Sequence, residues 1–164
     1  MKTGVESQES KPRYFIDLQW YEANDRSFPV FVQSRMCPSC QSKLGTEEER
    51  SVPVENGSGK VVFETKKVPY GDDPLVIIRD CCAKAEDFFT PNLPIMEIIF
   101  RIFLTNANQP LALEEIKELL DERLATAERP RTISLETLER LLDNDRYYGL
   151  RRFPATETGE SNSA

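Results

Sequence analysis

The chain has four cysteines but no histidine, so histidine cannot supply a metal ligand. Cys37 and Cys40 stand in the run "MCPSC", and Cys81 and Cys82 are adjacent. Two cysteines three positions apart in a tight turn direct both sulfurs to one point, about 2.3 Å from a zinc ion. Because such a site is tetrahedral, the second pair is predicted to complete a four-thiolate zinc site. If one of the adjacent cysteines does not bind, Asp80 is the nearest substitute.

The order of features around these cysteines is similar to that of treble-clef and zinc-ribbon modules. A cysteine knuckle is followed by a polar loop, a predicted hairpin and two cysteines at the start of a helical segment, over about residues 28–89. The resemblance implies one structural zinc ion. Four protein ligands leave no open coordination position, so a catalytic zinc is not expected.

Two other interpretations of the cysteines stay open. Cys37 and Cys40 form a CxxC motif of the kind that carries redox chemistry in thiol oxidoreductases, although no βαβ pattern follows it. Alternatively, the thiols pack as small core residues. The N-terminal segment "MKTGVESQESKPR" has no apolar core and predicts no signal peptide, hence a cytoplasmic protein. In the cytoplasm thiols stay reduced, which favours metal binding over a disulfide.

Residues 13–89 are predicted to form a β-rich module. Apolar residues alternate from Tyr14 to Trp20 and again in "FPVFVQS", which predicts a hairpin that leads into the cysteine knuckle. Two further β-rich runs, "KVVFETKKV" and "PLVIIRD", flank the turn "PYGDDP". Before these runs, the acidic residues 47–49 and the segment "ENGSGK" predict a solvated loop.

A helical period begins after the segment "TPNLP" at 90–94, which is predicted to be a linker between two domains. The first helix starts at Ile95, the second is "LEEIKELLDERL", and the third begins at Ser134, a good N-cap. Apolar residues surround nearly the whole first helix. We therefore expect the two halves of the chain to pack together and cover it.

The second half resembles a winged-helix domain over about residues 94–154. The resemblance rests on the Glu115–Ile116 pair after the extended run "PLAL", and on a third helix, "SLETLERLL", that leads into "GLRR" like the start of a wing. The predicted fold class is α+β, with a small zinc-stabilised β module at 13–89 and a three-helix winged-helix-like domain at 95–154. The small, polar residues at 1–12 and 155–164 are predicted to be disordered tails.

Composition argues against an enzyme and against a membrane protein. The absence of histidine removes the commonest general base and every Ser–His or Cys–His nucleophile pair. The most apolar run covers 95–104, whereas spanning a bilayer takes roughly 20 apolar residues. No small-molecule substrate is evident. The formal charge of -7 repels phosphate, so contact with nucleic acid would need a local basic patch.

The third helix of the second half, which faces the DNA groove in winged-helix proteins, is acidic here. Its outer face carries Glu136, Glu139 and Asp143, which oppose phosphate binding. The predicted function is a non-enzymatic zinc-binding adaptor for protein partners in a transcription or other nucleic-acid-related assembly. The alternatives are a DNA-binding transcriptional regulator and, in another class, a CxxC thiol oxidoreductase. Nucleic acid could be contacted through the flanking arginines Arg129, Arg131, Arg151 and Arg152.

The predicted partner surface is the edge of the chain that follows the third helix, with the outer face of the β module as the alternative. Arginine and tyrosine are enriched at protein interfaces because they combine a large contact area with specific hydrogen bonds. This edge is rich in both residue types. Its members are Arg146, Tyr147, Tyr148, Arg151, Arg152 and Phe153.

Overall fold

The fold is described from a computed structural model, which covers residues 12–127 and 129–154. Helices and strands are mixed along the chain, so the architecture is α+β, as predicted. Apart from residue 12, the predicted tails at 1–12 and 155–164 lie outside the described residues. The elements in chain order are β1 (Arg13–Ile16), α1 (Leu18–Ala23), α2 (Phe28–Gln33), α3 (Pro38–Gln41), β2 (Glu47–Glu55), β3 (Val61–Pro69), α4 (Pro74–Asp80), a 3-10 helix (Cys82–Lys84), α5 (Ile95–Thr105), β4 (Leu111–Ala112), α6 (Leu113–Leu124), α7 (Leu135–Asp143) and β5 (Leu150–Arg152).

A three-stranded antiparallel sheet, in the order β4-β1-β5, joins the two ends of the described chain. Tyr14 of β1 lies opposite Leu111 of β4 and opposite Arg152 of β5. The Phe153 N–H continues this pairing by donating to the carbonyl of Arg13 at 2.7 Å. Strand β1 therefore lies in the first predicted domain, whereas both of its neighbours lie in the second.

The hairpin predicted over 14–34 is wrong, because β1 is short and two helices follow it. Asp17 caps α1 by accepting a hydrogen bond from the Gln19 N–H at 3.0 Å. Ser27 caps α2 by accepting from the Val30 N–H at 3.3 Å, and a proline occupies the first turn. Caps and an early proline favour the start of a helix. These helix-start signals outweigh the strand-like alternation of apolar residues, because that alternation involves only a few residues.

Two more corrections concern the segment between the cysteine pairs. The acidic run 47–49, predicted to lie in a solvated loop, opens strand β2, which pairs along its full length with β3. The run "KVVFETKKV" does form β3 as predicted. The other predicted strand, "PLVIIRD", is helix α4 instead, and it begins with Pro74 in its first turn, where proline is favoured. Short apolar runs do not distinguish a strand from a buried helix.

Strands β2 and β3 with their turn form a long ribbon over 47–69, which we call the arm. Within the described residues, the two strands pair only with each other. In the turn, the Asn56 side chain accepts hydrogen bonds from the N–H groups of Ser58 at 2.9 Å and Lys60 at 3.1 Å. Every residue of β3 except Val68 is exposed. The arm therefore has little contact with the rest of the protein.

Helices α5, α6 and α7 lie where the helical period predicts them. Ser134 caps α7, and its hydroxyl accepts from the Thr137 N–H at 3.1 Å. No helix in the described part of the chain is long and apolar enough to cross a membrane. Both halves contribute to one hydrophobic core, which confirms the expectation that they pack together. Its fully buried members include Tyr14, Val32, Ile78, Ile98, Phe100, Phe103, Ile116 and Leu138.

A buried carboxylate also joins the two halves. Glu97 of α5 accepts two hydrogen bonds from the Arg35 guanidinium, at 2.8 and 2.9 Å, and one from Arg101 at 2.8 Å. The Tyr148 hydroxyl donates to the same carboxylate at 3.0 Å. Burial by itself raises the pKa of Glu97, but the hydrogen bonds from Arg35 and Arg101 outweigh burial and hold the pKa below its usual value. Glu97 is therefore ionised and fully paired at neutral pH.

Gly149 is expected to tolerate no side chain. Its φ is +76°, and an added Cβ would lie 2.6 Å from Tyr21 Cε1 and 3.0 Å from Trp20 Cε3. Gly149→Ala is expected to lower the free energy of unfolding by about 2–4 kcal/mol, through backbone strain and steric overlap together. The control Gly59→Ala has a similar φ of +84° with no atom within 4 Å, and should cost about 1 kcal/mol. Equal losses in urea titrations of the two variants would contradict a steric role for Gly149.

Candidate metal centre

The first cysteine pair lies on a single tight turn of helix. Cys37 is the N-cap of α3, and Cys40 lies within that helix, which begins with Pro38. The Cys40 N–H donates to the Cys37 carbonyl at 3.0 Å, which closes the turn between the two thiols. Proline in the first turn fixes the backbone where the helix starts. This local geometry turns both sulfurs in the same direction.

The second pair lies where α4 ends and the 3-10 helix begins. Cys81 has φ −133° and ψ −63°, so the backbone leaves the helical path at this residue. The bend allows two adjacent side chains to approach the same point, although Cys81 is exposed and Cys82 is fully buried. Asp80, the alternative ligand, pairs with Arg79 at 2.9 Å and is not part of the cluster.

The four cysteine sulfurs lie within 4.8 Å of one another, and all four thiols are free. The sulfurs of Cys40 and Cys81 are 3.4 Å apart. In a tetrahedral zinc site with bonds of about 2.3 Å, neighbouring sulfurs are about 3.8 Å apart. The four side chains can therefore hold one metal ion, as the sequence predicts for this set of residues, and no disulfide links them.

Hydrogen bonds and burial give the thiols different acidities. The Ser39 hydroxyl lies 3.4 Å from the Cys37 sulfur, and this contact lowers the pKa of Cys37 to about 6. Burial raises the pKa of Cys82 to about 12, and its sulfur accepts a hydrogen bond from the Cys37 N–H at 3.2 Å. Hydrogen bonds with Cys40 and Cys37 raise the pKa of Cys81 to about 11. A divalent cation among the four sulfurs would stabilise every thiolate.

The cluster lies at the base of the arm. Cys40 precedes β2 by a few residues, and Tyr70 follows β3 directly. The Tyr70 N–H donates to the Thr46 carbonyl at 2.8 Å, which closes the arm at this end. A hydrogen bond with Cys40 raises the pKa of the Tyr70 hydroxyl. Neither Ser39 nor Tyr70 is predicted from the sequence as part of the site, and only the position of Ser39 inside the CxxC motif could have indicated its role.

The predicted partner surface is largely engaged within the chain. Arg152 donates to Glu139 at 2.9 Å and to Asp143 at 2.7 Å, so it neutralises the acidic face of α7. Arg151 donates to the Asp145 carbonyl at 2.8 Å. Phe153 packs edge-to-face on another phenylalanine, with ring centroids 5.2 Å apart.

Three members of that surface are exposed, Arg146, Tyr147 and Arg152, whereas Tyr148 is half-buried against the Glu97 carboxylate. Tyr147 is 54% exposed, and its ring lies beneath the Arg26 guanidinium at 5.0 Å. The structure therefore divides the six predicted residues into three exposed and three half-buried side chains, and the exposed Arg152 is paired with the acids of α7.

The arginines predicted to contact nucleic acid differ in the same way. Arg131 donates to the carbonyls of Pro91 and Leu93 at 2.7 and 2.8 Å, which fixes the start of the helical half. Arg129 is exposed.

Comparison of the chain with protein-family models, with curated proteins and with solved structures gives no match.

Proposed function

We propose that this chain is a non-enzymatic adaptor in which a structural zinc ion stabilises the base of the arm and its junction with a winged-helix-like module. The zinc ligands in this proposal are Cys37, Cys40, Cys81 and Cys82. Such an adaptor binds protein partners in a transcription or other nucleic-acid-related assembly. The assembly type rests on analogy with proteins that carry similar small modules.

Zinc is the cation that best suits this donor set. Four thiolates in tetrahedral reach of one point select zinc or an iron–sulfur centre, and zinc forms single-ion sites with a full set of four cysteines. The four sulfurs within 4.8 Å of one another support a site for one ion. Because four protein ligands leave no position for water or substrate, the site supports a structural role.

The second half supports a winged-helix-like module. Strand β4 directly precedes α6, and α7 leads through a short turn to β5. These two strands flank β1, which comes from the N-terminal end of the described chain. In the proposed module, β1 occupies the place beside β5 that the second strand of a wing would need. The module therefore consists of 95–154 together with β1.

The single observation that carries the choice of a protein partner is the internal use of the basic side chains around α7. Arg152 pairs with the acids Glu139 and Asp143 of α7 itself. Arg131 and Arg151 donate to backbone carbonyls. A DNA reader needs such cations to replace the counterions of phosphate. These arginines already pair with acidic side chains or backbone carbonyls of the chain itself, which leaves few cations to contact phosphate. The surface therefore favours a protein partner over duplex DNA.

Tyr147 and the side chains packed against it offer a surface for a partner. Tyr147 packs edge-to-face on Phe31, with ring centroids 5.4 Å apart, and the Arg26 guanidinium lies over both rings. Arg26 also donates to the Tyr147 carbonyl at 2.6 Å. Tyrosine and arginine held in place by such packing lose little conformational freedom on binding, which is typical of interface hot spots.

The full chain is expected not to bind random-sequence duplex DNA at about 50 mM salt, where non-specific binding is strongest. Fluorescence anisotropy of a labelled duplex measures this directly. Micromolar binding that weakens steeply with salt would contradict the adaptor function and support a DNA-binding regulator, provided that the double variant Arg129→Ala, Arg146→Ala binds the duplex more weakly. The control Lys66→Ala with Lys67→Ala removes the same charge from the arm, and separates a local basic contact from the effect of net charge.

The partner itself is sought by affinity capture from native extract. Tyr147→Ala is expected to reduce capture of a specific protein about tenfold or more, because a truncated hot-spot residue costs over 1 kcal/mol. Phe63→Ala removes an even more exposed aromatic ring from the arm, and serves as the control. Equal capture by wild type and Tyr147→Ala would show that the partner binds elsewhere.

A further inference from the structure

The two outer edges of the arm are unpaired within the described residues, and their hydrogen-bonding groups can be assigned. In an antiparallel pair, every second residue turns its N–H and C=O away from the partner strand. The Asn56 N–H donates to Lys60 at one end of the arm, and the Tyr70 N–H donates to Thr46 at the other. The register between these pairs is unbroken. The odd-numbered residues of both strands therefore direct their N–H groups outward.

A proline interrupts one of these edges. Pro53 occupies an odd-numbered position inside β2, so that edge lacks an outward N–H donor there. Prolines on edge strands block the addition of a further strand. Along β3, the residues Val61, Phe63, Thr65 and Lys67 present four outward donors in succession. The edge of β3 is the one that can accept another strand.

The open edge is also apolar and exposed. Phe63 is 70% exposed and Val61 is 63% exposed. A two-stranded ribbon alone is marginally stable in water, whereas additional strands stabilise it. We propose that β3 of one chain pairs antiparallel with β3 of a second copy, to give a four-stranded sheet in the order β2-β3-β3-β2.

The charges and the length of β3 both favour one register for pairing with β3 of a second copy. With Thr65 on the two-fold axis, the strands overlap along all of Val61–Pro69, and Glu64 of each chain lies opposite Lys66 of the other. Moving the axis to residue 64 brings two glutamates face to face, and moving it to residue 66 brings two lysines together. Like charges directly opposite each other destabilise a strand pair. The fully overlapped register is therefore also the one with complementary charges.

The same register pairs other side chains favourably. Val62 lies opposite Val68 of the second copy, and Val54, which is opposite Val62 in the arm, extends this apolar row. Phe63 lies opposite Lys67 of the second copy, so the ammonium group can contact the aromatic face. Cross-strand pairs of these types stabilise antiparallel sheets.

Sedimentation equilibrium of the full chain tests the proposal. The average mass is expected to rise from the monomer mass of 18.8 kDa towards twice that value as the concentration increases. Thr65→Pro removes an outward donor from β3 without removing a hydrogen bond of the arm, and should abolish the rise. Ser51→Pro is the matched control, since Ser51 lies opposite Thr65 and faces the other edge. It should leave the rise unchanged.

Exchange of the paired charges provides a second test that does not depend on proline. Glu64→Lys places like charges opposite each other twice in the dimer, and should raise the dissociation constant about tenfold. Adding Lys66→Glu to that variant restores both pairs, and should return the constant to near the wild-type value. A chain that stays monomeric at every concentration overturns the second-copy assignment, and so does a dimer that Glu64→Lys leaves unchanged. If both proline variants abolish the dimer, either the β3 edge is the interface or proline has disrupted the arm itself. Return of the dimer in the Glu64→Lys, Lys66→Glu double variant, after its loss in Glu64→Lys, supports the β3 edge.

Discussion

Removal of the metal is expected to unfold most of the protein. Freshly purified chain should contain one zinc per molecule, and a strong chelator should abolish the helical circular dichroism signal. Structural zinc sites contribute roughly 10 kcal/mol or more of apparent folding free energy, which is comparable to the whole stability of a typical domain. Cys40 and Cys82 are both buried in the single core, so disorder at the cluster would spread into both halves.

Substitution of the ligands provides the matched test of that expectation. The Cys40→Ser and Cys82→Ser variants should each fail to bind zinc and fail to reach the folded state. Ser39→Ala keeps all four sulfurs and should retain the metal. Elemental analysis and circular dichroism measure the two properties. Substoichiometric metal, with a signal that the chelator leaves unchanged, would contradict the structural zinc site. A metal-free, folded chain with a reversible Cys37–Cys40 disulfide would support the oxidoreductase instead.

Loss of the buried carboxylate is expected to have the second largest effect. Glu97→Ala leaves Arg35 and Arg101 buried without a counter-charge, and should lower the free energy of unfolding by about 3–5 kcal/mol. The control Glu139→Ala breaks an ion pair with the exposed Arg152 and should cost less than about 1 kcal/mol. Urea titrations at pH 7 compare the two variants. Similar losses would contradict the assignment of Glu97 as the link between the halves.

The same carboxylate predicts a pH dependence with a definite sign. The pKa of Glu97 is lowered in the folded state, so its contribution to stability is present above the unfolded pKa of about 4.3. It is lost as the pH falls below that value and through the folded pKa. The difference in stability between wild type and Glu97→Ala should therefore narrow in acid, and a constant difference would contradict the ion pair.

The metal cluster and the long helices are the parts of this molecule that the sequence predicts best. The spacing of Cys37 and Cys40 fixes their geometry locally, and the other two cysteines are the only remaining thiols. Helices α5, α6 and α7 each carry a periodic apolar stripe over nine residues or more, which no strand could produce. Local geometry and long periods are readable without knowledge of distant contacts.

The remaining errors have a common physical origin. The runs that became α1, α2 and α4 are six or seven residues long, and caps and early prolines decide their conformation. The pairing of β1 with β4 and β5 joins residues far apart in the chain, and no local pattern indicates it. Glu97 interrupts an apolar run, and its partner Arg35 lies 62 residues away. Tertiary contacts of this kind cannot be read from spacing alone.

The central position of β1 has a consequence for how the chain folds during synthesis. Arg13–Ile16 leaves the ribosome well before its partner Leu150–Arg152, because more than 130 residues separate the two strands. The sheet therefore has a high contact order, which slows folding because a long loop must close before the strands can pair. Tyr14 and Ile16, fully buried in the finished fold, remain without their neighbours until then. A truncation that removes either end is expected to leave the opposite end without its strand partner.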